Sequence, residues 1–411
     1  MQNILDQYGR VTIYMEGNHP SPMYHVDGGI EPNPYGNLAV LLDDDNLEEV
    51  MYNGGAQCVK VAHRDHGMCR TNVWVDDAQG IEIARNIAAF TSVPLGDGPG
   101  LVPIFDGRLP DGSRVNGTIP PVSPDGPTLT IRKFREDPLT MIDLIKFGTV
   151  NLRLAAMMWV WIEGLDSRPA NFVIAGGTGS GKTTTLNCLG MYIPWHKRLL
   201  TVEDTAELQV YHDHWLRMET RRERPDGTPE VDMNDCLKSS LRMRPDRIIV
   251  GEVRSSEAAT LLTAMNTGHD GSFGSLHANT AMETITRMIN PPMNVPPIML
   301  SGLDLIIIQA RLYVNGKTAR KITEVAEIAG MEGDKPRLNA IWKYNAATDQ
   351  IEETGIPSKM RETICTAAGI TPAQFEQHVK QREQILADLL NRDIRDIETV
   401  TKVIQGFYAS R

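Results

Sequence analysis

Gly176-Gly177-Thr178-Gly179-Ser180-Gly181-Lys182-Thr183 follows Asn171-Phe172-Val173-Ile174-Ala175 and precedes Thr184-Thr185-Leu186-Asn187-Cys188-Leu189. The eight residues fit the pattern GxxxxGK[ST]. Glycines let a backbone wrap a phosphate without Cβ clashes, and successive N–H groups then point inward. A helix opening near Lys182 adds its positive end. In this layout Lys182 reaches the β- and γ-oxygens and the Thr183 hydroxyl ligates Mg²⁺, with Gly176 to Thr184 as the cradle. The motif needs a strand before it and a helix after it, and the flanking residues supply both. A glycine-rich turn with a chance lysine would lack that context.

The phosphate cradle needs acidic partners. Arg247-Ile248-Ile249-Val250-Gly251-Glu252 reads as an apolar strand ending in a carboxylate, placed to act on Mg²⁺ or on the attacking water. Leu200-Thr201-Val202-Glu203-Asp204 repeats the theme, with Glu203 and Asp204 as candidates for metal, water or base contacts. An acid pair at a helix start would look the same, because the helix dipole favours it. His277 follows Ser272-Phe273-Gly274-Ser275-Leu276. A polar residue ending a core strand beside the cradle can sense a γ-phosphate; a satisfied buried histidine is the alternative. The chain lacks an [NT]KxD guanine-reading motif, which weighs against a GTPase.

Outward from this centre, strands alternate with helices: Phe172–Ala175, Thr183–Tyr192, Arg198–Val202, Ile248–Val250 and Gly274–Leu276. That alternation predicts an α/β fold, with a mostly parallel sheet and ligands at the strand carboxyl ends. Thr140–Leu165 reads as helical. Upstream, Cys58–Ala62 and Thr71–Val75 read as a strand pair around the turn Arg64–Met68, Ile81–Phe90 as a helix, and Val102–Phe105, Ser113–Ile119 and Thr128–Phe134 as strands. The expected division is an irregular segment at 1–46, an α+β domain at 47–137, a P-loop domain at 138–350 and a small helical appendage at 351–411.

With 411 residues the chain is long enough for two or three domains at roughly 150 residues each. Hydrophobic residues make up 41% and charged residues 23%, ordinary globular values. Lys+Arg is 41 and Asp+Glu 52, a formal charge of −11, so an acidic surface argues against a nucleic-acid coat. Five cysteines without a CxxC pair form neither a disulfide framework nor a common zinc signature, and a reducing compartment is expected. Cys58, His63, His66 and Cys69 are metal-capable types in one strand pair, but their spacing matches no common site, and a solvated turn is the better reading. His212-Asp213-His214 near Trp215 reads as a polar loop. The apolar runs Leu154–Ile162 and Leu303–Ala310 fall short of the ~20 residues a membrane span needs. The N-terminus lacks the basic flank and apolar core of a signal peptide. A cytoplasmic protein, acting peripherally on the cytosolic face of any membrane it serves, is expected.

Four ordered motifs, the glycine loop included, carry a family resemblance, with two upstream strands beside them. Leu241–Arg254 resembles the Walker B segment of the secretion-superfamily ATPases, which drive type II and type IV secretion, type IV pili and archaella. Thr201–Leu208 resembles their Asp box, and Ala264–Gly271 followed by His277-Ala278-Asn279 their His box. Asp111–Asn116 and Leu129–Phe134 resemble two arginine-bearing strands of their N-terminal domain. The wording is similar to the tight-adherence pilus ATPases, and the C-terminal stretch looks more like archaellum and archaeal pilus motors.

The resemblance implies a RecA-like P-loop domain, ATP and Mg²⁺ as ligands, and a homo-oligomeric ring, a hexamer. It implies a polytopic platform protein of the cytoplasmic membrane as partner, and no nucleic acid. Lys182 and Thr183 would hold phosphate and metal. Glu252 would be the catalytic acid, Glu203 the Asp-box acid and His277 the γ-phosphate sensor. Metal ligation would fall to Thr183, Glu203 and Glu252, and Arg114 and Arg132 would clamp the phosphates. Surface-strand arginines snorkelling over a sheet are the plain alternative for those two. Arg221, Arg242 and Arg244 would be candidates for contacts with a neighbouring subunit's nucleotide. The competing functions are a RecA-like nucleic-acid translocase or helicase and a small-molecule kinase.

Overall fold

The computed structural model describes residues 3–410 apart from 18, 29–32, 56, 92, 135–136, 224–226, 315–316 and 334. The chain divides into two compact units, Met1–Glu136 with Arg224–Thr228, and Asp137–Glu223 with Pro229–Arg411.

The first unit holds strands β1 (Asn3–Tyr8), β2 (Val11–Met15) and β3 (Met23–Val26), the short helix α1 (Ala39–Leu42), and strands β4 (Leu47–Tyr52), β5 (Cys58–His63) and β6 (Gly67–Trp74). Helix α2 (Asp77–Phe90) and strands β7 (Ile104–Arg108), β8 (Arg114–Thr118) and β9 (Thr128–Arg132) complete it. Its nine-stranded sheet runs β1-β2-β3-β6-β5-β4-β9-β8-β7. Among the described strand pairs of this sheet, β3–β6 is parallel and the others are antiparallel. Helix α2 starts on a capping box: the Gln79 N–H donates to Asp76 Oδ1 at 2.8 Å, and the Asp76 N–H to Gln79 Oε1 at 3.2 Å. It turns Ile83, Ala84, Ile87 and Ala88 into the core over the sheet.

Three strands occupy the segment expected to be irregular. Val11 and Ile13 on β2 and Tyr24 and Val26 on β3 are buried at alternate positions. This period-2 pattern is short, and the surrounding prolines and glycines mask it in the sequence. His63 is 2% exposed rather than solvated, with its Nε2 3.1 Å from the Tyr8 hydroxyl. Among the described residues no group of three His, Cys, Asp or Glu side chains is arranged to hold a metal.

The second unit begins with α3 (Met141–Lys146) and α4 (Leu152–Glu163), two helices within the stretch expected to be helical. Gly148 interrupts them with φ 67°, and the Asn151 side chain caps α4 by accepting the Leu154 N–H at 2.8 Å. There follow β10 (Phe172–Ala175), α5 (Lys182–Gly190), β11 (Leu199–Glu203), β12 (Trp215–Glu219), α6 (Met233–Ser240), β13 (Arg247–Val253), α7 (Glu257–Asn266), β14 (Phe273–Leu276) and α8 (Ala281–Ile289). Strands β15 (Leu305–Val314), β16 (Lys317–Glu332), β17 (Lys335–Asn345) and β18 (Gln350–Glu353) precede helices α9 (Lys359–Ala368), α10 (Pro372–Asn391) and α11 (Ile397–Ala409).

The second sheet is ordered β12-β11-β13-β14-β10-β15-β16-β17-β18. It is parallel from β12 to β15 and antiparallel from β15 to β18. Strand β10 is buried on both faces, as central parallel strands are. Phe172 and Ile174 enter one core with α4, α5 and the C-terminal helices. Val173 and Ala175 enter the other with α6, α7 and α8. The mostly parallel α/β sheet expected from the sequence is present. The last three helices pack into this unit: α10 packs along α4, and Arg382 and Glu163 form an ion pair with both side chains 0% exposed.

Candidate nucleotide site

In the parallel part of the sheet all carboxyl ends lie on one edge, so loops from distant sequence positions meet there. Ala175 is in register with Leu276 on one side and Ile308 on the other. The glycine loop leaving β10 is therefore flanked by His277, which follows β14, and by Gln309 in β15. Glu252 comes from β13, one strand past β14, and Glu203 from β11, one further.

The loop's glycines have separate steric reasons. A Cβ on Gly176 would stand 2.2 Å from the Gln309 carbonyl oxygen and 2.6 Å from Ser180 Oγ. Gly179 and Gly181 take φ values of 72° and 94°, where side chains are strained. Gly181 is the N-cap of α5, so the first N–H groups of that helix open into the loop. Lys182 lies back across the loop, its Nζ donating to the Gly176 carbonyl at 2.8 Å and the Gly177 carbonyl at 3.1 Å. Burial lowers the pKa of its ammonium, and the charge of Glu252 works against that shift. Beneath the loop, the Thr185 hydroxyl donates to Gln309 Oε1 at 2.8 Å.

His277 Nε2 and the Thr178 hydroxyl are 2.9 Å apart, so a loop residue and the end of the neighbouring strand already share a hydrogen bond. Glu252 lies on a β-bulge: the β13–β14 register shifts between Val250 and Val253. Such a bulge re-aims a side chain at a strand end. The Ser275 hydroxyl donates to the Gly251 carbonyl at 2.6 Å within this bulge. The Glu252 carboxylate accepts from Arg254 Nη2 at 2.6 Å, and Arg254 Nη1 reaches Asp204 Oδ2 at 2.8 Å.

Glu203 is 3% exposed. Its Oε1 accepts the N–H groups of Glu207 and Leu208 at 2.9 and 3.0 Å, whereas Oε2 is buried with no hydrogen-bond partner. Burial raises its pKa, and the two N–H groups act against that rise. Room for this side chain depends on Gly251, where a Cβ would approach Glu203 Cγ to 3.0 Å. Ser180 Oγ is likewise buried and without a partner.

Magnesium takes one or two carboxylate oxygens together with hydroxyl, water and phosphate oxygens, rather than an all-protein cage. The Thr183 hydroxyl, the Glu252 carboxylate and the orphaned Glu203 Oε2 fit that donor chemistry.

In the first unit, Arg114 and Arg132 are directly opposite each other across β8 and β9. Arg108 on β7 faces Arg114 in turn, giving a row of three guanidinium-bearing positions across the strands. The sequence reading missed Arg108. It also missed Gln309, Arg311 and Arg320 beside the glycine loop, because β15 and β16 lie more than a hundred residues beyond the motif. The run of apolar residues ending at Ile308 was the one available signal.

The Type II/IV secretion system protein family model matches residues 100–403. An uncharacterised protein of Methanocaldococcus jannaschii is 33% identical over 545 residues, covering 90% of this chain and 75% of that protein. The conjugal transfer protein TrbB of Rhizobium radiobacter is 34% identical over 302 residues, covering 71% of this chain and 87% of TrbB. Among solved structures, the ATPase DotB of Legionella pneumophila matches with a TM-score of 0.51 at 17% identity, over 92% of this chain and 97% of that one. This last likeness is one of fold, and it agrees with the RecA-like expectation. With a family match across most of its length and a relative one-third identical along nearly all of it, the chain belongs to the type II/IV secretion ATPase family.

Proposed function

We propose that the chain hydrolyses ATP to ADP and phosphate, and that it does so as a subunit of a hexameric motor. The observation that carries this reading is the convergence on one sheet edge of the glycine loop, Lys182, Glu252, Glu203 and the Thr178–His277 pair. The loop N–H groups and Lys182 bind the β- and γ-phosphates, Lys182 exchanging its two carbonyl contacts for phosphate oxygens. Magnesium, when bound, neutralises charge on the β- and γ-oxygens. Thr183, Glu252 and Glu203 Oε2 are the groups that would hold it. Glu252 orients the attacking water and accepts its proton, once its carboxylate leaves Arg254. Thr178 and His277 together respond to the γ-phosphate, since either partner can turn from the other toward an oxygen. Arg114 and Arg132 are proposed as further phosphate ligands.

The work done with this energy is proposed to be assembly of a pilus or archaellum-like filament, or type II/IV secretion, through a polytopic membrane platform protein. The naming of DotB as an ATPase and of TrbB as a conjugal transfer protein supports this reading. No helix among the described residues is long and apolar enough to cross a membrane. A position on the cytosolic face of that membrane, beside the platform protein, is part of the same proposal. The test is Glu252→Gln: nucleotide binding stays and turnover is lost.

A further inference from the structure

Strand β15 is buried from Leu305 to Gln309, and from Ala310 onward it continues beside the glycine loop with alternate residues exposed. Arg311 on β15 is in direct antiparallel register with Arg320 on β16. Both are exposed. Arg320 Nε donates to the Gly179 carbonyl at 3.1 Å, and its Cδ would lie 3.3 Å from a Cβ on Gly181. Arg311 Nη1 would lie 3.6 Å from a Cβ on Gly179. Among the described residues neither guanidinium has a carboxylate partner, although the chain carries 52 acidic side chains. Like charges directly across an antiparallel pair are destabilising unless an anion lies between or beside them. The groups these two arginines do border are the turn of a loop built to receive phosphate.

We infer that Arg311 and Arg320 form a second guanidinium pair that grips the polyphosphate of the bound nucleotide in cis, from the Gly179–Gly181 side of the loop. This inference rests on the nucleotide-binding reading above and extends it to ligands from the antiparallel half of the sheet. Planar guanidinium groups suit phosphate oxygens in pairs. They would hold ADP after cleavage as well as ATP before it, because they border the loop rather than the acids at β11 and β13. Arg311 and Arg320 thereby set nucleotide retention, and the catalytic step stays with Glu252.

The experiment measures ADP binding to the intact chain by calorimetry across a series of salt concentrations. The variants are Arg311→Gln/Arg320→Gln, Arg311→Lys/Arg320→Lys and Lys182→Ala. The glutamine pair keeps a donor for the Gly179 carbonyl but removes both charges. It is expected to weaken ADP binding roughly 10- to 100-fold and to flatten the salt dependence. The lysine pair recovers part of the affinity and the salt slope. Wild-type affinity and slope in the glutamine pair, with Lys182→Ala still impaired, overturns this inference alone. A parent chain that binds no ADP overturns the nucleotide reading itself, and this inference with it. Weakening that the lysine pair fails to relieve assigns Arg320 a purely structural hold on Gly179 and also overturns the inference.

Discussion

Replacing Arg382 with methionine tests whether the C-terminal helices are part of the nucleotide unit's core. Arg382 on α10 is 0% exposed. Its Nε and Nη2 donate to Glu163 Oε2 on α4 at 3.1 and 2.5 Å, and its Nη1 donates to the His378 carbonyl at 2.6 Å. Its guanidinium also lies 4.9 Å from the Phe407 ring centroid and 5.7 Å from that of Trp159. Methionine conserves much of the volume but removes the positive charge facing Glu163 in a dry core. Breaking a buried pair from one side costs about 3–5 kcal/mol. At a urea slope on the order of 3 kcal/mol/M the midpoint falls by about 1 to 1.7 M. Tryptophan fluorescence reports this unit well, since only Trp74 of the six tryptophans lies in the first unit. Arg382→Met combined with Glu163→Met should return to within about 1–2 kcal/mol of the parent, because an apolar replacement of both partners is often neutral or better. A single substitution costing under about 1 kcal/mol, or a double one no better than the single, would refute the reasoning.

Two further outcomes follow from the loop and the acids. Gly176→Ala places a methyl 2.2 Å from the Gln309 carbonyl, so the loop must move by about 1 Å; destabilisation of about 1–3 kcal/mol and loss of ADP binding are expected, and parental affinity in a titration would contradict the account. Burial raises the Glu203 pKa, so the native state binds its proton more tightly than the unfolded chain, and stability is lost as pH rises from the unfolded value through the native one. Glu203→Gln should therefore raise the thermal midpoint of the nucleotide-free protein near pH 8, with the gain shrinking toward pH 4; a gain that grows on acidification would show the sign to be wrong.

The sequence makes the centre of the second unit legible because its chemistry is local. Gly176, Gly179 and Gly181 each answer a steric demand, and the buried runs Phe172–Ala175 and Ile248–Val250 are apolar at every position. The strand-end acids Glu203 and Glu252 are readable for the same reason. What escapes is what depends on distant pairing. Strands β2 and β3 alternate over only a few residues each, and their burial is created by neighbours. Arg320 becomes a neighbour of Gly179 only when β16 pairs with β15, 141 positions along the chain. The break between α3 and α4 turns on the left-handed backbone of Gly148, which no periodicity count weighs against the apolar residues around it. The polar surface of α10 conceals that Arg382 faces inward, since an arginine in a helix ordinarily signals solvent.

The proposed function gives Glu252 the link between the glycine loop and the chemistry, and its substitution by glutamine is the most direct measurement. Phosphate release from ATP in magnesium is compared with ADP and ATP affinity for the parent and for Glu252→Gln. The account predicts turnover falling by at least about a hundredfold with affinity retained, because the carboxylate acts on the attacking water and the metal, while the loop N–H groups and Lys182 hold the phosphates. Equal turnover in the two proteins would contradict it.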